Sequence, residues 1–234
     1  MLTTTARRRD AGLLTMAVFL TAAFFLAPPL LLGPDRLDEF PRAFVAYWSS
    51  GGPDFPADLQ HLVDHQFSYH LIRVLIAVPL LAVLVTLAVL LRRFRLPIGV
   101  LALVAAVLLI ANVQGAVSPF GTLLWILAGS TDAEVTAALA QIHDQLANGP
   151  ASPALTVMLD EYVRWHVWKG LLVGLLAAFF IGLSVVTWRR RRRWLSVLAA
   201  VAAVAALVVV AANVNVVVNP VPGFLILLEV PGSW

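Results

Sequence analysis

The stretch Trp194–Val218 reads WLSVLAAVAAVAALVVVAANVNVVV, with no charged residue, no proline and no glycine in it. An α-helix rises 1.5 Å per residue, so this run is long enough to cross the roughly 30 Å hydrocarbon core of a bilayer. Arg189 to Arg193 stand just before it and Asn219-Pro220 just after. A basic block, an unbroken apolar run and a proline stop describe a membrane-spanning helix. A buried strand would be far shorter.

Four more runs of this kind precede it, at approximately Ala11–Leu32, Leu71–Leu91, Pro97–Val117 and Val167–Trp188. The whole chain of 234 residues is 61% hydrophobic and 12% charged, with mean hydropathy +0.90. Soluble domains sit near 45–50% apolar and about 25% charged, so a soluble or disordered chain is excluded. Lipid cannot satisfy an open backbone, and the alternating pattern of a barrel strand is absent. The expected fold is all-α: one polytopic membrane helix bundle of about five transmembrane helices over residues 1–234. There is no cysteine, which removes thiol catalysis, zinc–thiolate sites and cysteine-held iron–sulfur clusters.

Charge sets the expected orientation. Arg7, Arg8, Arg9, Arg92, Arg93, Arg95 and Arg189 to Arg193 lie on one side, with Asp10 the only acid among them. Arg36, Arg42, Arg73, Arg164 and Lys169 share the other side with the remaining acids, Asp35 to Glu229. The positive-inside rule then places the N-terminus in the cytoplasm and loops 33–70 and 118–166 outside, with the C-terminus extracytoplasmic, in the cell inner (plasma) membrane. The basic pI near 9.9 has this topological cause, so no nucleic-acid partner is expected. Arg7-Arg8-Arg9 before an apolar run looks like a twin-arginine export signal. The run is long and lacks a small-x-small cleavage site, so it reads as a retained span.

An internal repeat is written into the chain. Asp64, Tyr69, His70 and Arg73 align at a constant offset with Asp160, Trp165, His166 and Lys169. Thr21-x6-Pro28, Asn112-x6-Pro119 and Asn213-x6-Pro220 mark the outer ends of the odd spans. Short apolar segments, Phe120–Leu127 and Phe224–Leu228, follow the last two. The chain therefore reads as two and a half parallel copies, about 11–95, 97–193 and 194–234. A plainer account of the Asn–Pro pairs is available: proline ends the helix, and asparagine two turns earlier satisfies backbone or neighbouring helices.

The outer segments read as helical. Phe40, Phe44, Tyr47 and Trp48 lie on a short amphipathic helix that Gly51-Gly52-Pro53 breaks, and a second helix starts near Pro56. Thr131-x-x-Glu134 reads as a capping box, Asn148-Gly149-Pro150 as a stop, and Ser152-Pro153 as an N-cap pair for a helix running into the fourth span. Their apolar faces are expected to pack on each other, at the lipid interface, or on a partner.

All five histidines fall on the outer side, and no Asp, Glu, Lys or Arg sits mid-span, which argues against a proton- or ion-coupled pump. His61 and His65 share a helix face beside Asp64, a workable spacing for a transition metal. The second copy would add Asp160, Glu161 and His166; alternatively His70 and His166 alone would ligate a haem. As interface anchors, the same His, Tyr and Trp residues need no cofactor, and Arg73 and Lys169 snorkel beside them. Asn112, Asn213 and Asn215 are candidate ligand contacts at the outer leaflet. The small residues Ala199, Ala200, Ala202, Ala203, Ala205 and Ala206 allow close helix approach.

A His where the chain enters one span, followed by an Asn near the outer end of the next, resembles small anthrone-oxygenase-like membrane proteins. That likeness covers few residues and carries no role to this chain. Three expectations stand: a non-enzymatic scaffold or accessory subunit of a cell-envelope complex; a membrane-embedded metal- or haem-binding oxidoreductase; and an outer-leaflet lipid or small-molecule facilitator. The expected partners are the bilayer and a membrane protein or second copy of the chain.

Overall fold

The structure is a computed structural model that describes residues 2–228, with side chains for residues 8–228. Glu229, the tail after it and the side chain of Arg7 lie outside the described residues. Nine α-helices with short 3-10 turns account for the fold, and no strand occurs among the described residues. They are α1 (Leu2–Leu32), α2 (Phe40–Ser50), α3 (Ala57–Leu90), α4 (Arg95–Val117), α5 (Pro119–Leu123), α6 (Ala133–Asn148), α7 (Pro153–Arg189), α8 (Arg193–Val218) and α9 (Pro220–Leu228). Five of them, α1, α3, α4, α7 and α8, contain segments long and apolar enough to cross a membrane.

The chain divides into two compact units: Met1–Asp35 with Asp64–Ala116, and Arg36–Val63 with Val117–Trp234. In the first unit, Leu80, Val83, Leu84 and Leu87 of α3 pack with Ala17 of α1 and with Ile98, Ala102 and Ala105 of α4. Alanines at the seam let helix axes approach closely, which is how spans associate where lipid supplies no hydrophobic drive. Proline behaves differently in the three odd spans. Helices α4 and α8 stop at Val117 and Val218, just before Ser118-Pro119 and Asn219-Pro220. Helix α1 runs through Pro28 and Pro29 to Leu32, so the proline stop expected there is corrected. Each proline removes one N–H but fits a helical φ. Gly33, at φ +79, then donates its N–H to the Pro29 carbonyl and closes the end.

In the second unit α7 and α8 form an antiparallel hairpin. Ala177 of α7 and Ala199, Ala203 and Ala206 of α8 are buried small residues of this hairpin. The hydroxyl of Ser196 donates to the Ser184 carbonyl (2.8 Å), clamping the arginine-rich end. Helix α7 has 37 residues, about 55 Å of rise, so its first turns must project beyond a ~30 Å hydrocarbon layer.

Those first turns enter a helical cap. Ala154, Leu155, Met158 and Tyr162 of α7 share one core with Phe40, Phe44, Tyr47 and Trp48 of α2. The core is completed by Leu59, Leu62 and Val63, by Phe120 and Leu123 of α5, by Leu139 and Ile142 of α6, and by Phe224 and Leu228 of α9. Phe120 lies at its centre, with ring centroids 4.7 Å from Phe55, 5.7 Å from Tyr47 and 6.3 Å from Phe40. The apolar faces of both loop regions therefore cover each other. Two polar bonds pin the arrangement: Trp48 Nε1–H donates to Gln141 Oε1 (2.9 Å), and the Tyr47 hydroxyl donates to the Ala154 carbonyl (3.3 Å).

Helix ends in the cap follow short-range chemistry. Gly51, at φ +64, closes α2 in the left-handed region that favours glycine. Ser152 caps α7 by accepting from the Leu155 N–H (3.2 Å), with Pro153 in the first turn. The expected capping box at Thr131 is corrected. Asp132 is the N-cap of α6, its Oδ1 accepting from the Glu134 N–H (2.8 Å) and the Val135 N–H (3.2 Å). A carboxylate there also meets the positive end of the helix dipole.

Candidate functional site

In the first unit, α3 supplies His65, His70 and Arg73, and α4 supplies Asn112, Gln114 and Gly115. Asn112 is buried at 4% exposure, and its Nδ2 donates to the Leu108 carbonyl one turn back (2.7 Å). Its Oδ1 is then the acceptor that faces His70, so the His70 Nδ1 (3.1 Å) carries the proton. The imidazole lies where a side chain on residue 115 would begin: a Cβ there would overlap its Cδ2 and Nε2. Glycine at 115 is thus what lets the ring reach Asn112. Among the described residues, three polar atoms in this unit are buried with no hydrogen-bond partner: His65 Nε2, Arg73 Nε and Gln114 Nε2. The Arg73 guanidinium lies 4.4 Å from the Tyr69 ring centroid and 4.9 Å from that of Phe24.

In the second unit Glu161 is buried at 9% exposure and fully bonded. Its Oε1 accepts from Arg164 (2.6 Å), and the single hydroxyl proton of Ser118 lies between Oε2 (2.8 Å) and the Glu161 carbonyl (2.9 Å). Gly121 leaves room for that hydroxyl, because a Cβ there would overlap Ser118 Oγ. His166 donates through Nδ1 to the Tyr162 carbonyl (2.8 Å), between the rings of Tyr162 (4.3 Å) and Trp165 (4.8 Å). Asn213, 5% exposed, donates through Nδ2 to the Val209 carbonyl (2.7 Å), while its Oδ1 is buried without a partner among the described residues. A side chain on Gly170 would meet the Asn213 Cβ at 3.6 Å, so α7 and α8 are close there.

The residues singled out by sequence divide accordingly. Asn112 and His70 come together; Glu161 joins Ser118 and Arg164. His61, Asp64, Asp160 and Asn215 are exposed. Among the described residues, neither unit groups three or more His, Asp or Glu side chains so that they can share an ion. Sequence reasoning missed Ser118, Gly115, Gly121 and the ring cage of Arg73. The isolated glycine beside Gln114, in an otherwise apolar span, was the readable signal for one of them.

Within the cap, outside the membrane-spanning segments, the fold displaces the titration of Tyr47. Burial, with the nearby Asp54 carboxylate second, pushes its pKa up to about 12. An open groove of about 370 Å³ lies at the arginine-rich end, lined by Ser184, Trp188, Arg189, Ser196 and Ala200 among others. In comparison with known proteins, the chain matches no family model, no curated protein and no solved structure.

Proposed function

We propose that this chain is a non-enzymatic integral membrane protein, a scaffold or accessory subunit of a cell-envelope complex. The observation that carries the reading is the use of its chemistry-bearing side chains. Glu161 is saturated by Ser118 and Arg164, His70 by Asn112, and His166 by the Tyr162 carbonyl. Each fastens one helix to another or to itself, as a structural strut does. The apolar windows of the spans are only 11% to 28% buried within the chain. Their remaining faces are free for lipid, a membrane-protein partner or a second copy.

On this reading the protein lies in the plasma (inner) membrane with the arginine-rich ends in the cytoplasm and the cap outside, as the positive-inside rule requires. The parallel repeat belongs to the same proposal. It is supported by Nδ2 of Asn112 and of Asn213 each bonding the carbonyl four residues back, and by α5 and α9 each starting at the following proline. In that alignment Val216 stands where Gly115 stands. A side chain there denies His166 the approach that His70 makes, so His166 turns to its own helix and the Asn213 Oδ1 loses its donor.

Extraction in mild detergent tests the scaffold reading. A partner retained at fixed stoichiometry, or a stable homo-oligomer, is expected. Stoichiometric metal or a Soret band, from protein purified without a His tag, would overturn it in favour of an oxidoreductase using His70, His166, Asp64 and Asp160. A second reading, an outer-leaflet lipid or small-molecule site, is favoured by the orphaned Asn213 Oδ1. It fails if Asn112→Leu with Asn213→Leu changes no ligand retention.

A further inference from the structure

We propose that Arg73 is the centre of a binding site for a phosphate-type anion, of the kind an anionic phospholipid headgroup presents. Its guanidinium carbon sits 4.4 Å from the Tyr69 ring centroid, 4.9 Å from that of Phe24 and 6.0 Å from that of Phe25. Tyr69 lies one turn earlier on α3, and the two phenylalanines belong to α1, so the cage is built entirely within the first unit. Aromatic faces attract the cation but keep water from those sides, and they fix the plane of the fork.

Among the described residues the charge is left without a counter-ion. Carboxylates pair with Arg9, Arg36 and Arg164, whereas no ion pair forms at Arg73 among the described residues, and its Nε is buried without an acceptor. An unpaired cation within a membrane span is expensive, and such residues pair with whatever acceptor the setting supplies. At the end of a span the abundant acceptor is a phosphodiester. Arginine's planar donors match its oxygens two at a time. Lys169, the aligned base in the second unit, has one ring beside it, Trp165 at 4.6 Å, and offers a point charge instead of a fork. The proposal holds whichever way the chain crosses the membrane and whether or not the protein is a scaffold.

The test uses the full chain in mild detergent, titrated separately with phosphatidylglycerol, phosphatidylcholine and inorganic phosphate. Retained lipid is read by native mass spectrometry and stability by thermal midpoint. Phosphatidylglycerol is expected to stay bound and raise the midpoint, and phosphatidylcholine, whose choline neutralises its phosphate, is not. Arg73→Gln should weaken phosphatidylglycerol binding roughly tenfold or more, with Arg93→Gln as the unaffected control. If inorganic phosphate reproduces the shift, the anion is free phosphate and the same chemistry stands. Equal behaviour of the two lipids with no phosphate effect, or unchanged binding in Arg73→Gln, overturns the site. Should that variant fail to fold, Tyr69→Leu keeps the charge and opens the cage. Binding several-fold weaker is then expected, and unchanged binding overturns the proposal.

Discussion

The imidazole of His70 occupies the space where a side chain on Gly115 would start, and from there its Nδ1–H reaches Asn112 Oδ1 across 3.1 Å. Gly115→Ala therefore forces the ring away and strands the asparagine oxygen in a buried position. Overpacking of this kind costs about 1–3 kcal/mol. Removing the ring first should relieve the clash, so Gly115→Ala in a His70→Ala background should cost much less than in the wild type. A double-mutant cycle on unfolding midpoints in detergent measures this, and strict additivity would contradict the geometry.

Ser118 joins the start of α5 to α7 through Glu161. Ser118→Ala leaves Glu161 Oε2 without this donor in a buried place, a loss of about 1–3 kcal/mol. Arg164 still pairs with Oε1, and the weakness is expected in the cap. Limited proteolysis should then cut faster between residues 119 and 150 than in the wild type. Equal protection would mean that the bond contributes nothing.

Much of the fold is legible in the chain because the signals are local. The five spans follow from hydropathy over a single window, and the end of α2 from Gly51, which supplies the φ of +64. Neighbouring residues with similar chemistry are harder. Thr131 and Asp132 are both good caps, and spacing to Glu134 alone selects the wrong one. The candidate site is mostly illegible, because its partners are distant in sequence. Ser118 and Glu161 are 43 residues apart, Trp48 and Gln141 93, and Tyr47 and Ala154 107. No periodicity says which glycine faces which imidazole.

Tyr47 makes the cap sensitive to alkali. Its pKa rises from 10.0 in the unfolded chain to about 12 in the fold, because burial first and Asp54 second oppose the phenolate. The folded state thus holds the proton more tightly. Stability is unaffected below pH 10 and falls as pH rises from 10 toward 12. Tyr47→Phe removes this dependence while also losing the bond to the Ala154 carbonyl. It should start lower at pH 8 and decline less between pH 10 and 11. Parallel pH profiles of the two proteins would refute the assignment.

The turn between α7 and α8 places Arg191 at φ +58, a left-handed conformation that a non-glycine residue adopts at a cost of about 1–2 kcal/mol. The geometry around it is a helix-ending motif. Arg191 N–H donates to the Trp188 carbonyl and Arg192 N–H to the Thr187 carbonyl, both at 2.9 Å. Glycine is the residue this position favours. Arg191→Gly should therefore stabilise the hairpin, but glycine's larger unfolded-state entropy offsets part of the gain, leaving about 0.5–1 kcal/mol. Arg191→Val, branched at Cβ, should move the other way. Four arginines remain in the turn in either variant, so membrane orientation is expected to be unchanged. Unfolding midpoints in a denaturing detergent order the three proteins Gly, Arg, Val. A glycine variant no more stable than the wild type would show that the arginine stem compensates for the backbone conformation at this turn.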